Sequence, residues 1–177
     1  MPAYAIRPYS PDDLPRLREI TLATFGPVSI DRLLEARLGP FGPRSWQERK
    51  AAAIEDDCRV QPDGVFVAVE ESGRAIGYVT TRLSLATGIG WIPNVAVSPE
   101  WQGRGVGRAL LRTAIAFLRD SGMAVAKIET LAHNEVGKRL YPSVGFVEIV
   151  RQVHYAMRLD GTGEADGCAA DDRGADE

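Results

Sequence analysis

Gln102-Gly103-Arg104-Gly105-Val106-Gly107-Arg108 is the stretch that decides the fold, because its alternate glycines stand where an apolar strand gives way to an apolar helix. Ahead of it, Ile89 to Val97 reads as a strand. Behind it, Val106, Ala109, Leu110, Ala114, Phe117 and Leu118 recur at helical spacing until Ser121-Gly122 ends the run. Loop glycines let backbone approach a ligand closely, and the unpaired N–H groups of a helix start carry partial positive charge. Together they suit a pyrophosphate, with Arg104 and Arg108 as charges at the rim. The plainer reading is a tight strand-to-helix turn beside a solvated arginine face, but three alternate glycines exceed what a turn requires.

Working outward, Val65 to Glu70, Ala75 to Leu85 and Ile89 to Val97 are separated by turns at Glu71 to Arg74 and around Thr87-Gly88, the pattern of three consecutive antiparallel strands. Val125 to Leu131 is a further strand, so Ile89 to Leu131 forms a strand, loop, helix and strand whose outer strands run parallel through a right-handed crossover. Asn134 to Tyr141 is a short helix, and Phe146 to Leu159 reads as two more extended segments. At the other end, Tyr4 to Arg7 is extended, and Ser10-Pro11-Asp12-Asp13 starts a helix carrying Leu14, Leu17, Ile20 and Leu22. Ile30 to Leu38 and Trp46 to Ile54 are helical on either side of the Gly39 to Pro43 break. The fold class is α/β (α+β): a mixed, mostly antiparallel sheet flanked by helices.

Spacing narrows the ligand. A phosphate loop of the Walker type needs Gly-Lys-Ser/Thr, and no lysine lies near residue 105. A dinucleotide-binding protein is the better rival, since Glu129 sits where a ribose-binding acid would stand. With Gly105 and Gly107 as the first pair, however, the third small position is Leu110, and too little chain follows Leu131 for a doubly wound sheet.

Gln102-x-x-Gly105-x-Gly107 after Val95-Ala96-Val97-Ser98-Pro99 resembles the acetyl-CoA loop of the GNAT superfamily of N-acetyltransferases. A second block, Glu129 through Asn134 to Leu140-Tyr141-Pro142-Ser143-Val144-Gly145-Phe146, is similar to that superfamily's later strand, asparagine, helix, tyrosine and Gly-Phe turn, with some likeness to the ribosomal-protein alanine N-acetyltransferase branch. The resemblance spans about Val65 to Leu159 and extends to Tyr4–Leu22. It is weak from Gly26 to Pro62, where acceptor specificity is usually set. It implies a sheet of six or seven strands with a splayed central pair, and acetyl-CoA as cosubstrate with no metal. It further implies an acetyl group moved to a primary amine by direct attack in a ternary complex. A non-catalytic acyl-CoA-binding module on the same fold is the alternative.

The resemblance also assigns roles. Pantetheine is expected along the backbone of Val95, Ala96 and Val97, where an N–H near Val95 or Ala96 could stabilise the thioester oxygen. The diphosphate is expected on Gln102, Gly103, Arg104, Gly105, Val106, Gly107 and Arg108. Pro93 fits an edge or bulge, or simply a strand start. Tyr141 is the expected acid for the departing thiolate, or else an aromatic packed on Phe146. Glu129 is the expected base, or the partner of Lys127 or Arg139. Asn134 is a pantetheine contact or a helix cap.

Composition bounds the rest. Residues 160–177 hold seven acids and one base, leaving 17 acids against 20 bases in residues 1–159, too mild a balance to argue for nucleic acid. The expectation is one N-acetyltransferase domain over 1–159 followed by an acidic, solvated tail over 160–177. The opening MPAYAIRPYS has no basic-then-apolar leader, and no apolar run approaches the ~20 residues of a membrane span. Cys58 and Cys168 lack metal or redox spacing, which points to the cytoplasm. Cys58 follows Glu55-Asp56-Asp57, whose charge opposes a thiolate, and His133 and His154 have no partner at metal-ligand spacing. The acceptor is a small-molecule or peptide amine, Trp91 is a candidate to border its site, and a homodimer is left open.

Overall fold

Alternating apolar residues in five short runs build one sheet in the order β1-β2-β3-β4-β5. These are β1 Tyr4–Pro8, β2 Phe66–Glu70, β3 Ala75–Ser84, β4 Ile89–Val97 and β5 Val125–Ile128. The computed structural model describes residues 4–160. The first four strands pair antiparallel. β5 pairs parallel to β4, because the intervening helix α4, Val106–Asp120, carries the chain back along the sheet.

Helices cover both faces. α1 (Leu14–Phe25) and α3 (Trp46–Val60) send Leu17, Ile20, Ile54 and Cys58 into a core with Val65, Val67, Tyr78 and Ala96. α4 buries Val106, Leu110, Leu111, Ala114 and Leu118 against Ala68, Ile76, Val79 and Ile92 on the opposite face. Its stripe recurs every three to four residues, as one buried helix face requires. α2 (Ile30–Leu38) lies on α3, and α5 (Glu135–Leu140) follows β5. Local chemistry sets the starts: Ser29 caps α2, and Ser45 with Glu48 forms a capping box on α3. Arg7 donates two 2.7 Å bonds to Asp13, fastening β1 to the start of α1.

β4 carries an extra residue. Thr80 faces Asn94 and Arg82 faces Trp91, so three steps on β4 match two on β3, a bulge around Ile92-Pro93. The bulge reverses which side chains face which layer. Ile92 packs on the α4 side, and beyond it Val95 and Val97 do so too, while Ala96 joins the α1 and α3 core.

The sheet has five strands among the described residues, not six or seven. Residues 146–158, expected as two strands, adopt no regular secondary structure. Their alternation is strand-like, but a strand also needs an edge to pair with, and among the described residues this segment makes no backbone–backbone hydrogen bond after Phe146. Its far end is held instead by Arg158, which donates to the carbonyls of Leu38 and Pro40 beyond the last turn of α2. β5 is likewise shorter than expected, ending at Ile128. The acidic tail expected over 160–177 lies, beyond Asp160, outside the described residues. Among those residues no helix is long and apolar enough to cross a membrane, and no group of three or more His, Cys, Asp or Glu side chains could hold a metal ion.

Candidate functional site

The site begins where two parallel strands part. β4 and β5 are paired from Ile89↔Val125 to Ile92↔Ile128 and no further. Pro93 comes immediately after and has no N–H to continue the ladder. Beyond it β4 runs on to Val97 with only β3 for a neighbour, leaving one backbone edge free. Alternation decides which residues own that edge. Ser98 N–H donates to Ile76 O at 2.8 Å, so Ser98, Ala96 and Asn94 turn their backbone groups toward β3, whereas Val95 and Val97 turn theirs to the opening. The Ala96 carbonyl also lies 2.9 Å from where a Cβ on Gly77 of β3 would stand. Of the three residues expected to line the edge, Ala96 therefore presents no backbone group to it.

The glycine loop closes one end of this opening. One amide N–H of Gln102 donates to Val97 O at 2.9 Å and ties loop to strand. Gly103 and Gly105 have φ of +74° and +84°, the left-handed region that L side chains avoid. Gly105 is the N-cap of α4, and no side chain caps the helix. The N–H groups of Val106, Gly107 and Arg108, the first turn of a fifteen-residue helix, thus point outward without a partner among the described residues. Val106 is buried, so only its backbone is offered. Gly107 is helical rather than part of the loop, and its bare Cα lets Leu140 approach, since a Cβ there would stand 3.3 Å from Leu140 Cδ2. The Arg104 guanidinium lies 5.0 Å from the Trp101 ring centroid, while Arg108 is exposed.

A second group sits around α5. Asn134 caps that helix, accepting from Gly137 N–H at 3.2 Å and donating to Thr130 Oγ1 at 2.8 Å. Tyr141, at the end of the helix, meets Phe146 edge to face at 6.3 Å. Burial raises the Tyr141 phenol above its ordinary pKa, and a hydrogen bond with Thr130 pulls the other way. Sequence reasoning passed over Gly137 and Thr130. A Cβ at 137 would lie 3.0 to 3.2 Å from Asn134, Thr130 and Tyr141 at once. A glycine inside a short helix was the available signal.

Glu129 lies just past β5 and pairs with Lys127 at 2.7 Å, and Lys127 in turn lies over Trp91 at 6.0 Å. Arg82, Leu83, Ser84, Thr87 and Ile89 join Trp91 and Lys127 around a cavity of about 250 Å³. Cys58 is buried and free, and burial first, then the charge of Asp57, pushes its thiol up to about 11. Beneath β4 lies a network that sequence reasoning missed: buried Asp57 accepts from Thr80, Arg82 and Asn94, and Asn94 Oδ1 accepts from Lys50 Nζ at 2.7 Å. It holds the strand at Asn94, one residue before the open edge.

Comparison with known proteins agrees with this geometry. Residues 30–146 match the model of the acetyltransferase (GNAT) family. A mycothiol acetyltransferase of Nocardiopsis dassonvillei is 35% identical over 106 residues, covering 56% of this chain but 32% of that protein. The chain thus spans about a third of the length of that relative. An aminoglycoside N(6')-acetyltransferase type 1 of Stenotrophomonas maltophilia is 30% identical over 103 residues, 54% of this chain and 67% of that protein. Among solved structures, the ribosomal-protein-S18-alanine N-acetyltransferase of Escherichia coli superposes with a TM-score of 0.60 at 23% identity, covering 83% of this chain and 79% of that one. The chain belongs to the acetyltransferase (GNAT) family.

Proposed function

We propose that residues 1–159 form a domain that moves the acetyl group of acetyl-CoA to a primary amine, by direct attack within a ternary complex. One observation carries this reading: the open backbone edge of Val95, with the N–H of Val97, lies on the strand that runs into the loop before the uncapped start of α4, which suits hydrogen bonds first to an amide chain and then to a diphosphate. Val95 N–H is the donor best placed to stabilise charge on the thioester oxygen. The amides of Val106, Gly107 and Arg108 take the diphosphate, with the Arg108 side chain at the rim. Gln102, Gly103 and Gly105 shape the loop, and Asn134 holds α5 so that Tyr141 keeps its place. Tyr141 supplies the proton that a departing thiolate needs. The acceptor is a small-molecule or peptide amine, and two of the relatives are named for mycothiol and for aminoglycosides, which supports the small-molecule class.

Calorimetry on the full chain tests the groove. CoA is expected to give a heat of binding and NAD none, and thiol release from acetyl-CoA is expected to rise with at least one member of a panel of peptide N-termini, lysine, polyamines and aminoglycosides. Absence of any heat with CoA sinks the proposal. Heat without thiol release from any amine leaves a module that binds acyl-CoA and does no chemistry.

Glu129 is the proposed base that takes the proton of the attacking amine, and its pairing with Lys127 holds it at the end of β5. Glu129→Gln is therefore expected to change the pH dependence of kcat/KM. If the profile is the same as in the parent, the carboxylate serves the Lys127 pair alone.

A further inference from the structure

Lys50 lies half-buried on α3, and its ammonium is short of negative charge. Nζ donates to the neutral Oδ1 of Asn94 at 2.7 Å and stands 4.0 Å from the Phe25 ring centroid. The carboxylates whose field reaches it are held by other cations, Asp57 by Arg82 at 2.6 Å and Asp31 by Arg49 at 3.0 Å. Burial lowers the Lys50 pKa, and the pull of Asp57 and then Asp31 does not restore it. A cation taken out of water costs stability unless an anion meets it. An ammonium has three N–H donors, and among the described residues only one of these finds an oxygen.

Position gives this charge a use. Asn94 immediately precedes Val95, and its side chain faces the α1 and α3 layer, as does Ala96 two residues on. The ladder between β4 and β5 has already ended at Ile92↔Ile128, so Lys50 stands beside the opening. α4, whose start takes the diphosphate, covers the opposite face, and an acceptor therefore enters from the Lys50 side. Glu129 is on that side too. Trp91 and Lys127 face the same way as Arg82, the cross-strand neighbour of Trp91 that reaches Asp57 of α3, and Glu129 is two residues on from Lys127 and bonded to it. His133 Nε2 meets Pro27 O at 3.0 Å, which brings the turn after α1 against the loop after β5 and walls this side.

We infer that the acceptor is a primary amine with a carboxylate close by, its amine toward Glu129 and its carboxylate on Lys50 Nζ. The inference rests on the acetyl transfer proposed above and names its substrate class. An acid at the end of β5 and an uncompensated base beside β4 match the two charges of an amino acid. A single ammonium with two N–H groups to give suits a carboxylate.

Calorimetry on the CoA-saturated full chain tests this with glycine, β-alanine, γ-aminobutyrate, lysine and dipeptides, each beside its carboxamide. At least one acid is expected to bind about tenfold or more tighter than its amide, the lower end of the range for a hydrogen bond to a charged group. Lys50→Met keeps the unbranched stem and Lys50→Gln keeps an N–H for Asn94. Both are expected to bring that ratio close to one while the heat with CoA persists, whereas a purely structural lysine leaves the ratio where it was. Acids that bind selectively but release no thiol uphold the recognition and remove the chemistry proposed above. Amides that bind as tightly as their acids overturn the inference, as does a preference that survives both substitutions. It is equally overturned if the chain takes CoA and releases thiol with polyamines or aminoglycosides but binds none of the acids, a result that leaves the acetyl transfer standing.

Discussion

Tyr141→Phe is expected to lower kcat by about 10²-fold or more, the usual scale for loss of a general acid, while the KM for acetyl-CoA changes little. The leaving group sets the requirement. A thiolate expelled at neutral pH needs a proton, and the donor must be protonated beforehand. Burial raises the Tyr141 phenol above the ordinary value of ~10, so the acid form persists through neutral pH and is lost only on the far alkaline side. Activity that depends on this proton is therefore expected to fall above that raised value, and the phenylalanine variant is expected to lack that alkaline fall.

Phenylalanine is the informative replacement because it keeps the ring. The edge-to-face contact with Phe146 at 6.3 Å involves no hydroxyl, so packing survives and the melting temperature is expected to hold. What disappears is the phenolic O–H and its bond with Thr130. A fall in kcat at constant Tm and constant KM assigns the hydroxyl to the chemical step. An unchanged kcat removes Tyr141 from the mechanism and leaves it as a packing aromatic.

How much of this was legible in the sequence depended on how local the cause was. The unit from Ile89 to Leu131 was readable because period two, glycines and period 3.6 succeed one another within a few dozen residues. The bulge near Pro93 was readable as one option, since proline removes a donor wherever it sits. Two features were not. The final strands failed because the alternation in Val147 to Leu159 says that a chain can be a strand, whereas pairing depends on an edge supplied elsewhere. Gly107 was read with the phosphate loop because its glycine belongs to the alternating run, although the helical spacing already began at Val106. At the site, Asn134 and Glu129 each carried two readings in sequence, and the structure places their side chains on Gly137 and Thr130, and on Lys127.

Asp57 marks the other boundary of legibility, and Asp57→Ala is expected to destabilise the fold by about 3–5 kcal/mol, the scale for removing one partner of a buried charge pair. In sequence it is one of three consecutive acids, Glu55-Asp56-Asp57, whose only readable effect is a negative field on Cys58. The inward stripe of α3 runs through Ala51, Ile54, Asp57 and Cys58, and so carries this carboxylate under the sheet at 4% exposure. There it accepts from Thr80 Oγ1 at 2.8 Å, Asn94 Nδ2 at 2.7 Å, Arg82 Nε at 2.8 Å and Arg82 Nη2 at 2.6 Å. Those four bonds occupy the roughly four acceptor sites a carboxylate owns. Alanine leaves an amide and a hydroxyl without their acceptor, and leaves the Arg82 guanidinium with Asp56 alone. Arg82 reaches partly into solvent, which sets the expected loss toward the lower end of the range. Against the 5–15 kcal/mol typical of a whole domain, even about 3 kcal/mol is a large fraction, and urea unfolding will read it as a lower midpoint at constant slope. Thr80→Val, which deletes one donor to the carboxylate, should cost about 1.5–3 kcal/mol, the scale for a hydrogen bond to a charged group. Because Asn94 precedes Val95, loosening this network also frees the strand that carries the open edge, so CoA affinity is expected to fall alongside stability. A loss under about 1 kcal/mol for Asp57→Ala, no larger than a neutral hydrogen bond, means that the carboxylate is not what fastens β4 to α3, and the edge must then owe its position to the bulge alone.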